Sequence, residues 1–455
     1  MTDVITSLLP FAIVLVILVV VHELGHFITA KLSGVKVLEF GIGYPPRLFA
    51  IKRGETEYSI NMLPLGGFVR LLGEEDPGDP RSLAAQPAWR RLTVMGAGSF
   101  MNLVMAIALF TVALMIPREV PAGRAVIVQV VPDSPAEAAG LEAGDIILAI
   151  DGRDIPSTQD ASYNIRLHLG EEIPIVVRRQ DPLSGSSTTE TVQVRPRWAP
   201  PPYVYEVQPG DDVDSVAAAT GYDRGAVREA AAIETAVPAG TVLSIADGAA
   251  AVVYTWEAID TVESVARRLL VDAGAVASAA GLPDQDALSP GTELQFTQGA
   301  TGIQIASQYA FTETRSLGPW AALTGGWRST TDSFKLLRNE VYSWIKGSSS
   351  PNVSGPIGIA QVTGEVFREA GWKRMMDLGA VLSVNLAILN ILPLPMLDGG
   401  RMAFVVLEVV RRGRRVAPAK EALVHYAGMV ALLLLVLVLS YFDILRIVRG
   451  ESLFR

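Results

Sequence analysis

The run His22-Glu23-Leu24-Gly25-His26 puts two imidazoles and a carboxylate into five residues. On a helix, positions four apart share a face. His22 and His26 can therefore offer two ring nitrogens to one zinc ion, with Glu23 beside them to take a proton from water. That is the chemistry of a hydrolytic metalloprotease. The chain contains no cysteine, so thiolate ligands and disulfides are excluded and a metal must be held by nitrogen and oxygen.

The elements that carry this pattern belong to a membrane. His22 closes an uncharged run reaching back to Val4, and titratable groups at membrane depth are costly unless they have functional partners. At 455 residues, 50% of them hydrophobic, the chain reads as a multidomain membrane protein with sizeable soluble parts. Uncharged blocks at 4–21, 92–116, 378–397 and 422–442 each have about the 17 to 25 residues of a spanning helix, which predicts four spans. The first is expected to be retained: it lacks a basic leading region, carries Asp3, and runs into the histidine pair rather than a small-residue cleavage site.

Nine Lys or Arg residues lie in 31–91, and 401–421 holds Arg401, Arg411, Arg412, Arg414, Arg415 and Lys420. Positive loops stay cytoplasmic, so both termini and the stretch 117–372 should face outward. A net charge of -9 leaves no nucleic-acid footprint.

Catalytic zinc usually takes three protein ligands and keeps one position for water. The carboxylate that stands out is Asp398, in Asn390-Ile-Leu-Pro-Leu-Pro-Met-Leu-Asp398-Gly-Gly400 at the end of the third block. Two prolines there should break the helix and two glycines should let the backbone bend sharply, aiming an anion at a metal on a neighbouring span. His168 and His425 are expected to be ordinary surface or interface residues.

The pairing of His-Glu-Leu-Gly-His with Asn390–Gly400 resembles the site-2 protease family of intramembrane zinc metalloproteases, nearest the bacterial regulator-of-sigma-E protease type. The runs Gly41-Ile-Gly-Tyr-Pro45, Leu63-Pro-Leu-Gly-Gly-Phe-Val-Arg70 and Ser354-Gly-Pro-Ile-Gly-Ile-Ala360 add to it. The resemblance implies Zn2+ held by His22, His26 and Asp398, with Glu23 as general base. It implies that Asn390 engages the substrate backbone and gives Asn385 a less specific polar role. It also makes 38–75 a cytoplasmic, membrane-associated β-hairpin. Through Leu65, Gly66 and Gly67 that hairpin would pair with an unwound substrate by strand addition.

Between Arg124 and Arg197, Val131-Pro-Asp-Ser-Pro-Ala136, Ala139-Gly-Leu141 and Gly144-Asp-Ile-Ile147 resemble a PDZ domain. An internal repeat follows: 205–217 aligns without gaps on 254–266, and the copies end similarly, in Ala239-Gly-Thr-Val-Leu243 and Pro290-Gly-Thr-Glu-Leu294. This strand, helix, helix, strand pattern resembles LysM modules, which bind N-acetylglucosamine glycans such as peptidoglycan. The second copy lacks the turn glycine at Ala258-Ile259. Gly302–Ala306 resembles a strand that closes the PDZ region, so the repeats look inserted within it or at its edge. Trp320, Trp327, Phe334, Leu336, Leu337, Val341, Tyr342 and Trp344 form an amphipathic pattern suited either to the outer interface or to packing on the PDZ domain.

The expected architecture is a four-helix transmembrane metalloprotease core in two halves, 1–120 and 373–455, with a membrane-associated β-hairpin. An extracytoplasmic PDZ (α+β) domain over 121–200 carries inserted LysM-like (βααβ) modules at 203–247 and 252–298. A possible closing strand at 299–318 and an amphipathic segment at 319–372 complete the chain. The expected activity is hydrolysis within transmembrane segments of single-pass proteins in the inner membrane of a bacterium, such as a pre-cleaved anti-sigma factor or signal-peptide remnants. The active site would lie towards the cytoplasm and the lipid bilayer would surround the core. A rival is a catalytically idle scaffold joining peptidoglycan to a membrane partner, which has no need of buried ligands. A transporter fits poorly, since four spans give no inverted repeat and too few charges for a relay. Deleting 203–297 should leave zinc content unchanged; loss of metal in that deletion would count against an independent module.

Overall fold

The computed structural model describes residues 2–74, 76–180, 186–222, 224–231, 240–247, 250–255, 265, 269, 271, 273–280, 288–348 and 354–449. The elements run α1 (Thr2–Leu32), β1 (Val37–Arg53), β2 (Thr56–Leu71), α2 (Ala88–Met115), β3 (Arg118–Val130), α3 (Pro135–Ala138), β4 (Ile146–Ile150), β5 (Arg153–Asp154), α4 (Thr158–Leu167), β6 (Ile173–Gln180) and β7 (Ser187–Val194). There follow β8 (Tyr203–Glu206), α5 (Val213–Thr220), α6 (Arg224–Ala230), β9 (Val242–Asp247), β10 (Ala250–Thr255), α7 (Ala273–Ala279), β11 (Glu293–Phe296) and β12 (Ile303–Arg315). The chain ends in α8 (Pro319–Ile345), α9 (Pro356–Ile391), α10 (Asp398–Val410) and α11 (Pro418–Val448). Two compact units result, one of Met1–Val120, Glu313–Arg338 and Ser350–Arg455, the other of Pro121–Thr312 and Asn339–Ser349.

Among the described residues, four helices of the first unit are long and apolar enough to cross a membrane: Leu9–Leu32, Ala88–Met115, Ala370–Ile391 and Ala419–Ile447. All four differ in their bounds from the uncharged blocks, the first and third at the ends that carry the candidate site. The first continues through the histidine pair to Leu32 rather than stopping at 21, because His22 and His26 turn inward and are buried, leaving the helix apolar outside. The third ends at Ile391 instead of 397, just before Pro393, whose missing N–H and ring end the helix. Gly371, at φ 61, kinks α9 where that span begins.

The β1–β2 hairpin doubles back on itself. Glu39, Phe40, Gly41 and Ile42 each pair with two stretches of β2, 57–60 and 67–70, while 47–53 pairs with 56–61. The stretch 63–71 is thereby left as an edge that pairs on one side with β1. This stretch lies against α1: a Cβ on Gly67 would stand 3.6 Å from Glu23 Cγ, and one on Gly66 3.5 Å from Val19.

In the second unit, one sheet has the order β12-β3-β4-β6-β7 with β5 on β4, so the strand expected over 302–306 is the neighbour of β3. Ile127, Ile147, Ile150 and Ile175 fill its core. An ion pair of Arg179 with the buried Asp145, 2.7 Å, ties β6 to the turn before β4 and holds the guanidinium well above its ordinary pKa, the Asp145 hydrogen bond being the main cause.

The repeat region pairs its strands across the two copies. β8 pairs with β11, the start of copy one with the end of copy two, whereas β9 and β10 form a hairpin. The cores follow the same nesting. Val213, Val216 and Val227 pack with Leu294 and Phe296, and Leu243 and Ile245 pack with Val265 and Val276. Two tandem units, 203–247 and 252–298, would instead each close on their own strands. Ala250 is registered on Asp247, so the end of copy one and the start of copy two pair with each other as β9 and β10. Most of the aligned copy at 256–264, including Ala258-Ile259, lies outside the described residues.

Because the native chain has no cysteine, the nesting is directly testable. Val204→Cys with Gln295→Cys, partners in the β8–β11 register, should form a disulfide that a tandem arrangement would not allow, read by a mobility shift on non-reducing gels.

Candidate metal centre

Three electron-rich atoms converge inside the first unit. His22 Nε2 is 3.0 Å from Asp398 Oδ2, His26 Nε2 is 3.2 Å from the same oxygen, and the two ring nitrogens are 3.1 Å apart. Four elements set this up. α1 presents both imidazoles one turn apart, their rings edge to face. The break after Ile391 restarts the chain as α10, with Asp398 as its first residue. α2 fixes the rings from behind.

His26 Nδ1 donates to the Val94 carbonyl at 2.7 Å, so its proton sits there and Nε2 points inward with a free lone pair. The Asn102 side-chain amide stands 3.1 Å from His22 Nδ1. Asn102 is fully buried and its Oδ1 has no other partner among the described residues, so the amide turned to accept from Nδ1–H would satisfy both groups and free Nε2 of His22. Ser383 Oγ holds the Asn102 carbonyl at 2.7 Å, tying α9 to the same point.

Two lone pairs and a carboxylate oxygen this close repel each other unless a proton or a metal cation lies between them. The spacing suits zinc: with Zn–N of about 2.0 to 2.1 Å, the edge of a ligand tetrahedron is about 3.3 Å. His22, His26 and Asp398 are the group of metal-capable side chains found among the described residues. Room for an ion comes from α2, where a Cβ on Gly98 would stand 2.5 Å from His26 Nε2 and 2.6 Å from His22 Nε2. Gly25, opposite, lets α1 meet α2 at Ala97, where a Cβ would be 2.4 Å from the carbonyl oxygen.

Asp398 is aimed by its surroundings. Gly399 and Gly400 serve close approach rather than an unusual bend: neither has a positive φ, and a Cβ on either would lie 2.2 Å from a loop carbonyl, Leu392 O or Leu394 O. The left-handed residue is instead Met396, at φ 74. Farther along α10, Glu408 pairs with Arg91 of α2 at 2.6 Å and with Arg415 at 3.1 Å. Burial would raise the Glu408 pKa, but its two arginines together carry it below the ordinary value.

The other expected site residues lie around this centre. Glu23 is on α1 beside the 63–71 stretch, where a Cβ on Gly67 would stand 3.6 Å from its Cγ. Leu65, Gly66 and Gly67 belong to the same edge, with Gly66 at φ 149. Asn385 and Asn390 are half-buried on the last turns of α9 and are not hydrogen-bond partners of His22, His26 or Asp398 among the described residues. His168 and His425 are not surface residues: they are only 2% and 9% exposed. His168 pairs with Asp151 and the Asn164 carbonyl, and His425 accepts from the Met396 N–H. Gly98 and Asn102, which sequence reading missed, lie in a span whose composition alone marks no site; the signal available was a glycine and an asparagine inside a lipid-facing block.

Residues 10–435 match the profile of Peptidase family M50. A Clostridium perfringens protein named as a zinc metalloprotease is 30% identical over 429 residues, covering 94% of this chain and 95% of the relative. A Vibrio cholerae protein named likewise is 30% identical over 442 residues, 90% and 92% of the two chains. Zinc metalloprotease RasP of Oceanobacillus iheyensis is 25% identical over 525 residues, 97% and 99% of the two chains.

The close fit of Gly98 makes it a direct probe. Gly98→Ala should remove nearly all bound zinc with helix content unchanged, and Asn102→Leu should weaken zinc binding by about 10- to 100-fold, both read by metal analysis and chelator competition.

Proposed function

The chain belongs to peptidase family M50, and from that premise we propose that this zinc metalloprotease cuts transmembrane segments of single-pass membrane proteins at a centre made of His22, His26, Asp398 and Glu23. The observation that carries the reading is the convergence of two imidazoles and a carboxylate on one buried point between helices of spanning length. His22, His26 and Asp398 would hold the ion, which when bound would supply a water acidified to a pKa of about 7 and a Lewis acid for the peptide carbonyl.

The chain's own groups do the remaining work. Glu23 takes the proton of the attacking water on its carboxylate and returns it to the leaving amine. Its position beside the 63–71 edge means that a strand added to this edge would run past the base. A spanning helix has its backbone groups paired internally and must unwind before attack. The strand edge at Leu65, Gly66 and Gly67 would offer the replacement hydrogen bonds, and Asn390 and Asn385 polar groups for the rest of the unwound backbone.

The cationic 31–91 and 401–421 loops support an inner-membrane topology with the centre towards the cytoplasm and the second unit outside. In this reading the sheet of the second unit is a PDZ domain that admits substrates already trimmed outside, among them a clipped anti-sigma factor or signal-peptide remnants. The repeat modules bind peptidoglycan.

Glu23→Gln should abolish cleavage of a model single-pass substrate in liposomes while zinc content stays near wild type. Unchanged cleavage would refute the assignment of the base.

A further inference from the structure

Helix α11 contributes no ligand, yet it touches the chain just before Asp398. His425 Nδ1 accepts from the backbone N–H of Met396 at 3.0 Å, and the side chain is 9% exposed, its ring 5.5 Å from that of Phe404. One turn on, Gly428 lets α11 lie against the same loop, where a Cβ would come within 2.1 Å of Pro395 Cβ. Met396 has φ 74, a left-handed conformation that L side chains adopt reluctantly, and its own side chain is 43% exposed. The turn is therefore not held by burying Met396. The loop bonds run from Leu394 N to Leu392 O and from Leu397 N to Leu394 O, which leaves the Met396 N–H to His425.

The direction of Asp398 depends on this turn. Asp398 is the first residue of α10, its N-cap Leu397 supplies no side-chain cap, and Met396 sets the path on which the helix starts. We infer that His425 is a positioning residue: by accepting the Met396 N–H it fixes the left-handed turn that aims Asp398 at the metal, making the fourth span a strut for the centre. The inference rests on the ligand assignment proposed above.

The test measures zinc affinity by chelator competition in full-length protein in nanodiscs, together with the visible spectrum of the Co2+-substituted form. His425→Leu keeps bulk without an acceptor and should weaken zinc binding about tenfold or more and alter the Co2+ bands. His425→Asn returns an acceptor near the Nδ1 position and should recover affinity to within about threefold, as hydrogen bonding rather than bulk is what counts. Met396→Gly, harmless at positive φ, should restore affinity in the His425→Leu background. Wild-type affinity in His425→Leu, equal losses in the Leu and Asn variants, or a deeper loss when Met396→Gly is added would each overturn the inference. A His22→Ala control that keeps its zinc would overturn the ligand assignment instead, and this inference with it.

Discussion

Two histidine lone pairs and a carboxylate oxygen, about 3 Å from one another in a place shielded from water, form the constraint around which the first unit is built. In water such a cluster would be relieved by hydration; shielded from water, it is relieved by a proton or a metal cation. The neighbouring elements act to keep the three atoms there. Val94 and Asn102 orient the rings from α2, Gly98 leaves the space, and the break after α9 brings Asp398 up from the other end of the sequence.

Glycine supplies space at several of these contacts, and only some of it is conformational. Gly98, Gly399, Gly400 and Gly428 each face an atom that a Cβ would strike, so helices and loop can approach to backbone distance. Such close crossings suit a lipid setting, where helices gain from tight packing because the tails outside are as apolar as they are. The strained residue is Met396, and the hydrogen bond from its N–H to His425 crosses from the loop to another span.

Near the other end of α11 a second contact joins it to the start of α9. Asp443 of α11 is buried, accepts from the Gly358 N–H at the start of α9 at 2.8 Å and from Arg446 at 2.9 Å. An anion at a helix N-terminus is favourable, and here it also explains the glycines of Ser354–Ala360, since a Cβ on Gly355 or Gly358 would reach the carboxylate. α11 is thus fastened near both of its ends, at His425 and at Asp443.

The sequence by itself determined which residues could do chemistry and how many spans carry them. The i, i+4 histidines, the single carboxylate at the end of the third block and four uncharged runs are local patterns, legible because helix period and bilayer thickness impose them directly. Where each span ends was less legible, since inward-facing His22 and His26 look like an interruption until their burial is known. Only the tertiary structure decided that Gly98 opposes the ring nitrogens, that Asn102 and His425 support the site, and that β8 joins β11 across the repeats. Those depend on contacts between residues tens to hundreds of positions apart, which no local period encodes.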